Sequence, residues 1–199
     1  MKLGLLALIF IGAATITQAD TCQTRFAELV INGNHGLGPT RMLITQEIVG
    51  AETSTTYHYD IGDESGMGEA IDPPNNPWTL FRDGKMFMSH DKGTTWSFVN
   101  AFDGEKARAD NKAALTIDTK DARDLSCTVE TLGGLQHDIV EGTYTSSVIA
   151  GAEVYEKLWV HPETGMLVQS FRHIKSDGFE TKTTQVVELY PNFTLPEPK

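Results

Sequence analysis

Histidines and acidic residues are the side chains of this sequence that could support acid–base catalysis or bind a metal. The chain has six histidines, and none of them follows the HxH or HExxH spacing that brings zinc ligands together. His58 and Asp60 lie two apart on a predicted strand and share a face, whereas the adjacent His137 and Asp138 point to opposite faces of an extended segment. We therefore predict no metal site.

Nucleophilic and nucleotide chemistry are not better supported. The sequence lacks the GxSxG turn that exposes the nucleophilic serine of many hydrolases. Gly33, Gly36 and Gly38 precede a predicted strand and not a helix N-terminus, so they do not form a phosphate-binding loop. We predict a protein that is not an enzyme, with no catalytic residue and no cofactor. An enzyme of unrecognised type would need titratable groups converging in a cleft.

The first nineteen residues have the features of a secretory signal peptide. Met1 and Lys2 give a positive start, an apolar stretch runs from Leu3 to Ile16, and Thr17-Gln18-Ala19 ends in a small-x-small pattern. The apolar stretch is shorter than the roughly 20 residues that span a bilayer. We predict cleavage after Ala19 and a periplasmic or secreted protein, in which residues 20–199 form a single β-rich domain with an extended C-terminal tail.

Export gives the two cysteines a structural role. An oxidising compartment favours disulfides, and Cys22 and Cys127 are the only possible pair in the sequence. We predict a bridge between them. The competing interpretation, two free thiols, has no CxxC spacing to support it.

Composition excludes several classes of partner. The 199-residue chain carries 27 Asp and Glu against 16 Lys and Arg, a formal net charge of −11. An acidic surface is repelled by phosphate backbones and by anionic lipid head groups, so nucleic acid is not expected as a partner. The length is sufficient for one domain with its own hydrophobic core.

The pattern of apolar residues predicts a mainly β protein with a short N-terminal helix. Phe26, Leu29 and Val30 recur at helical spacing within residues 21–31. Two β-rich segments, residues 41–49 and 53–60, predict a hairpin, and the glycine- and acid-rich residues 62–77 predict a surface loop.

Further turns divide the rest of the chain. Asp83-Gly84 predicts a two-residue hairpin between residues 78–82 and 85–89. The segment Ser89 to Trp96 resembles one isolated Asp-box hairpin, a structural motif of β-propellers. Residues 103–124 predict a helical or irregular connection. The predicted strands that follow include a closing three-stranded meander over residues 155–160, 166–174 and 179–189, one face of which is partly polar or open.

The closing segment resembles the end of the LolA-like superfamily, exported half-barrels that carry lipoproteins or bind lipids. The resemblance rests on the Trp159-Val160 pair, the turn from His161 to Met166, and a final strand that ends in Tyr190. It implies a curved antiparallel sheet of half-barrel form. It also implies binding of a hydrophobic small molecule or lipid, with a lipoprotein or a membrane-associated protein as a further possible partner.

A curved antiparallel sheet must cover its inner face or leave an apolar hollow, and such a hollow accepts acyl chains. The alternative is a small secreted β-domain with a filled interior that acts through a protein-interaction surface or has a structural role. Alternation along the predicted strands gives the candidate residues for lining a ligand cavity: Met42, Ile44, Ile48, Tyr57, Tyr59, Phe81, Phe87, Trp159, Val168 and Phe171.

Overall fold

A computed structural model describes residues 18–62 and 64–198. It contains two α-helices, α1 (Gln18–Asn32) and α2 (Gly104–Asp118), and a short 3₁₀ turn at Thr119–Asp121. The strands are β1 (Thr40–Ile48), β2 (Ser54–Gly62), β3 (Ser65–Asp72), β4 (Trp78–Arg82), β5 (Lys85–Ser89), β6 (Ser97–Ala101), β7 (Arg123–Leu132), β8 (Leu135–Thr145), β9 (Glu153–Val160), β10 (Leu167–Ser176) and β11 (Phe179–Leu189).

All eleven of these strands belong to one curved antiparallel sheet, in the order β6-β5-β4-β3-β2-β1-β11-β10-β9-β8-β7. Strands β1 to β6 form one meander, in which each strand pairs with the next along the chain. Strands β7 to β11 form a second meander in the same way. Pairing of β1 with β11 joins the two halves, with Met42 opposite Val187. This confirms the predicted mainly β class, the N-terminal helix and the closing meander.

Helix α1 covers one face of the sheet, which we call the helix face. It covers the strands that come from the C-terminal half of the chain. Phe26 of α1 is fully buried against Val140, Tyr144 and Val154. Leu29 and Val30 pack against a second cluster that includes Leu158. The residues whose spacing predicts the helix are therefore those that hold it on the sheet.

The predicted cysteine pair also fixes α1. Cys22 of α1 and Cys127 of β7 are joined by a disulfide across a sequence separation of 105 residues. In the chain-entropy model, closing a loop of this length stabilises the folded state by about 4–5 kcal/mol. The helix is thus tied to the edge strand of the sheet by a covalent bond as well as by packing.

The opposite face, the tail face, carries a separate core over the N-terminal half. Tyr59, Met67, Leu80 and Trp96 are buried there. Residues 191–198 of the predicted extended tail pack on this core, and the ring of Phe193 stacks on Tyr59 with 4.3 Å between centroids. Arg82 donates to the backbone oxygens of Leu195 and Pro196. The sheet therefore has a core on each face, at opposite ends.

The surface loop predicted for residues 62–77 is wrong for most of its length, because β3 occupies Ser65–Asp72. Glycine is required there by close approach of neighbouring strands. A Cβ at Gly66 would lie 2.6 Å from the backbone oxygen of Tyr59, and one at Gly68 would lie 2.6 Å from Thr79 Oγ1. Glycine in this segment therefore permits strand pairing and does not signal a loop.

The two-residue turn before β5 forms as its residues predict, and a carboxylate organises the turn after β5. Asp83 and Gly84 have positive φ values of 51° and 67°, as a two-residue hairpin of the mirror-image type requires. In the turn after β5, the carboxylate of Asp91 accepts hydrogen bonds from the backbone N–H and hydroxyl of Thr95 and from the Ser89 hydroxyl. These bonds lower the pKa of Asp91 to about 2.

Residues 1–17 of the predicted signal peptide lie outside the described part of the chain, so cleavage after Ala19 stays a prediction. Over the residues that the structure does describe, neither helix is long and apolar enough to cross a membrane. The connection predicted over residues 103–124 is mostly helical, as α2 begins after Asp103, whose carboxylate accepts from the backbone N–H of Lys106.

Candidate functional site

A hollow lies on the helix face, between the sheet and the chain that links α1 to β1. Its volume is about 640 Å³. Apolar side chains of β1, β10 and β11 form part of its floor, namely Met42, Leu167 and Val187. Its roof consists of residues 31–38 and the exposed face of α2 at Arg108, Asn111 and Lys112. The volume is within the usual range for small-molecule sites.

The roof is held by polar contacts to the sheet and to α2. Asn34 donates to the backbone oxygen of Leu167 and accepts from its N–H, at 2.7 and 2.8 Å. Arg108 forms an ion pair with Glu64 at 2.7 Å and lies 3.1 Å from a ring nitrogen of His35. The hollow is therefore framed by specific hydrogen bonds at both ends of its roof.

A second hollow of about 290 Å³ continues along the same face, and Gln185 lines both. Its floor is built from cross-strand neighbours of β1, β11 and β10. Ile44 lies opposite Gln185, and Gln185 opposite Ser170. Gln46 lies opposite Thr183, and Thr183 opposite Arg172. The row of Gln46, Thr183 and Arg172 is therefore entirely polar, and the neighbouring row combines Ile44 with two polar side chains.

Arg172 of the polar row pairs with a buried carboxylate. Glu156 of β9 is 2% exposed, and its carboxylate accepts from Arg172 Nε at 2.6 Å and from the Tyr144 hydroxyl at 3.2 Å. Burial raises the pKa of the Glu156 carboxyl, while Arg172 and Tyr144 oppose the shift. Burial and the neighbouring carboxylate also raise the pKa of Tyr144. The three groups form one coupled network at the edge of the second hollow.

Thr181 is a buried polar residue of this hollow whose hydroxyl is unsatisfied within the part of the chain that the structure describes. The residue is 3% exposed, and its Oγ1 is buried with no hydrogen-bond partner among the described residues. A buried hydroxyl without a partner costs about 1–3 kcal/mol. It lines the second hollow together with Arg172.

A third, smaller hollow of about 230 Å³ extends the helix face toward β4. It is lined by His58, Asp60 and Phe81, with Phe102 packed edge-on against Phe81. Burial lowers the pKa of His58. His58 and Asp60 share the face that their spacing predicts.

The ligand-cavity candidates fall on both faces of the sheet. Met42, Ile44 and Phe81 each line one of the three hollows, and Ile48 shares their face at the end of β1 without lining them. The others lie elsewhere. Tyr57, Tyr59 and Phe87 belong to the core of the tail face, Trp159 and Phe171 point to that same face, and Val168 lies at a bulge in β10.

The polar residues of the floor were not among the sequence candidates. Arg172, Thr181 and Gln185 come together only through the registers of β10 and β11. One signal for them is present in the sequence, since alternation along residues 179–189 predicts a partly polar face. Alternation alone did not show that this face borders a hollow.

The fold and the site define a class of protein: a curved antiparallel sheet that carries a helix on one face and leaves a hollow beside it. Several solved structures are similar to this chain at low identity. A putative outer membrane lipoprotein-sorting protein domain from Vibrio parahaemolyticus aligns with 88% of this chain and 92% of its own, at 10% identity and a TM-score of 0.36. A LolA superfamily protein from Nitrosomonas europaea aligns with 91% of this chain and 96% of its own, at 8% identity and a TM-score of 0.35.

A chain of the Pseudomonas aeruginosa MucA/MucB complex is also similar, at 14% identity and a TM-score of 0.42, over 88% of this chain and 59% of that one. No family model and no curated protein matches the sequence. At these identities and TM-scores the likeness extends to no residue role, ligand or partner.

Proposed function

We propose that this is an exported, non-enzymatic binding protein that holds a lipid or another hydrophobic small molecule in the hollow of the helix face. The observation that carries the proposal is the hollow of about 640 Å³ on that face, with Met42, Leu167 and Val187 in its floor. Part of the floor is apolar and the roof is polar, as expected for a site that buries a tail and leaves a polar group near solvent.

The energetics of such a site are sufficient without any charged contact. Burying a methylene contributes about 0.8 kcal/mol, so ten methylenes contribute about 8 kcal/mol. A Kd of 1 μM corresponds to about the same free energy, before the entropy of association is subtracted. A single acyl chain is therefore a reasonable ligand for a hollow of this size.

Export is the second part of the proposal. The signal-like N-terminus and the disulfide both suit the periplasm or the extracellular space, where such a bridge persists. A lipid moiety could come free or attached to a lipoprotein, and the hollow is open enough to accept a tail from either source.

Native mass spectrometry with organic extraction of the exported protein tests the function directly. We expect a stoichiometric lipid, or binding of added dodecanoate by the delipidated protein. Met42→Trp fills the floor of the hollow and should weaken binding at least about tenfold, since it displaces several methylenes. Leu43→Trp is the matched control, because it lies on the same strand and points to the other face.

A protein that is consistently bare, and that binds neither fatty acids nor phospholipids, would overturn this function. Equal loss of binding in the Met42→Trp and Leu43→Trp variants would instead place the ligand away from the hollow.

A further inference from the structure

We propose that the second hollow is a head-group site, and that the ligand is a single-chain amphiphile with an anionic head group that binds Arg172. This inference rests on the proposed function and specifies the ligand. The tail would lie over the first hollow and the head group over the polar row of the second.

Charge gives the first argument. Eight residues line the second hollow, and Arg172 is the only one of them with a charge: Ile44, Gln46, Ser170, Arg172, Ile174, Thr181, Thr183 and Gln185. The chain as a whole has a formal net charge of −11. The acidic surface repels anions at long range, so an anion that binds this hollow has to be held by the local charge of Arg172.

The guanidinium is held in place and still has free donors. Its Nε donates to Glu156, which is itself fixed by Tyr144. An arginine has five N–H donors. Among residues 18–62 and 64–198 the guanidinium has no other hydrogen-bond partner, and the Arg172 side chain is 44% exposed. Its planar fork suits a carboxylate or a phosphate.

The unpartnered hydroxyl of Thr181 is the second argument. It belongs to the residue diagonal to Arg172 across the β10–β11 pair, which places the two side chains within reach of one small group. The proposed site requires the Thr181 side chain to adopt a χ1 rotamer in which its hydroxyl points toward Arg172. An oxyanion bound to Arg172 would then satisfy a donor that the protein leaves unsatisfied.

The floor offers a path for the tail. Gln46 of β1 lies in the polar row with Thr183 and Arg172. The next residues of β1 on the same face are Ile44 and then Met42. The four residues of strand from Gln46 to Met42 span about 14 Å. Met42 and Val187 lie opposite each other in the floor of the first hollow. A tail that leaves the head-group site in this direction enters the proposed hydrophobic site.

The test compares three probes of equal chain length: dodecanoate, dodecyl phosphate and 1-dodecanol. We expect the wild-type protein to bind at least one of the two anions about tenfold or more tightly than the alcohol, as an added charged hydrogen bond implies. Whichever anion is preferred identifies the head group as a carboxylate or a phosphate. Calorimetry or displacement of a fluorescent fatty acid gives the affinities.

Variants locate the charge. Glu156→Gln leaves Arg172 in place and should keep the preference for the anion. The double variant Glu156→Gln/Arg172→Gln keeps a neutral hydrogen-bonding pair, so that no charge is left buried alone. It should lose the preference, so that neither anion binds more tightly than 1-dodecanol. Thr181→Val should weaken anion binding several-fold, and Thr184→Val, on the same strand and the opposite face, should not.

Three results would overturn the inference. Equal affinity for dodecanoate, dodecyl phosphate and 1-dodecanol would exclude an anionic head-group site and leave the proposed function intact. Loss of the preference in Lys112→Gln, with the double variant unaffected, would place the head group at the mouth of the first hollow. Binding of none of the three probes would contradict the proposed function itself.

Discussion

At the scale of residues, the buried carboxylate of Glu156 links the site to the stability of the fold. Burial raises its pKa above the ordinary value of 4.5, so the folded protein holds this proton more tightly than the unfolded chain does. The contribution of Glu156 to the free energy of unfolding therefore falls as pH rises from 4.5 through the raised pKa.

Glu156→Gln removes this dependence. The measurement is urea unfolding of the wild-type protein and the variant at a series of pH values. We expect the wild-type free energy of unfolding, minus that of the variant, to decrease as pH rises through this window. Glu180→Gln is a control in which the pH trend is reversed. The hydrogen bond from His173 lowers the pKa of Glu180, so the contribution of Glu180 to the free energy of unfolding is lost as pH falls. Parallel stability curves for the wild-type protein and Glu156→Gln between pH 4 and 8 would contradict the assignment.

At the scale of elements, β3 shows how glycine determines a strand. It pairs with β2 and β4 so closely that Gly66 and Gly68 have no room for a Cβ. β2 supplies His58 and Asp60 to the helix face, and β3 holds β2 to β4, which supplies Phe81. The hollows near β4 therefore depend on a strand whose composition looks like a loop.

Gly68→Ala tests this close approach. Its new Cβ meets Thr79 Oγ1, so we expect a loss of about 1–3 kcal/mol in the free energy of unfolding. Gly68→Ala/Thr79→Ala should recover part of that loss, because the second substitution removes the obstructing oxygen. Gly66→Ala should have no such rescue, since the obstacle is the backbone oxygen of Tyr59. Denaturant unfolding that shows Gly68→Ala within 0.5 kcal/mol of wild type would refute the argument.

At the scale of the whole molecule, the sheet carries two cores on opposite faces. The helix face is covered by α1 near β8 and β9, and the tail face by residues 190–198 near β2 and β4. On the helix face, β1, β11 and β10 lie beside the region that α1 covers. The first two hollows lie there because α1 packs mainly on β8, β9 and the near side of β10, and leaves β1 and β11 uncovered on this face.

Phe193→Ala separates the two faces. Loss of the stacked ring on Tyr59 should lower the free energy of unfolding by about 1–3 kcal/mol. Affinity for dodecanoate should be unchanged, since the hollows lie on the other face. Phe98→Ala is the control, because its side chain is 59% exposed and its loss should affect neither property. If Phe193→Ala weakens dodecanoate binding without unfolding the protein, the two faces are coupled.

The sequence by itself determined the features that depend on near neighbours along the chain. Phe26, Leu29 and Val30 define α1 by their spacing, Asp83-Gly84 defines its hairpin through positive φ values, and the closing meander follows from its turns. These features are predictable because the forces that select them act within a few residues. The pairing of Cys22 with Cys127 was also accessible, since there is no other cysteine to pair.

The tertiary structure decided which face of the sheet is covered and which side chains meet there. Alternation shows that Met42 and Ile44 share a face and that Tyr57 and Tyr59 share a face. Only the register of β1 with β2 places the two pairs on opposite faces, and only the packing shows which face borders a hollow. Arg172 and Gln46 lie 126 positions apart in sequence and share a polar row only through Thr183 of β11. The registers of strands that are distant in sequence determine such a row. Each register depends on how the whole sheet packs, because a shift by one residue would move every side chain of a strand to the other face.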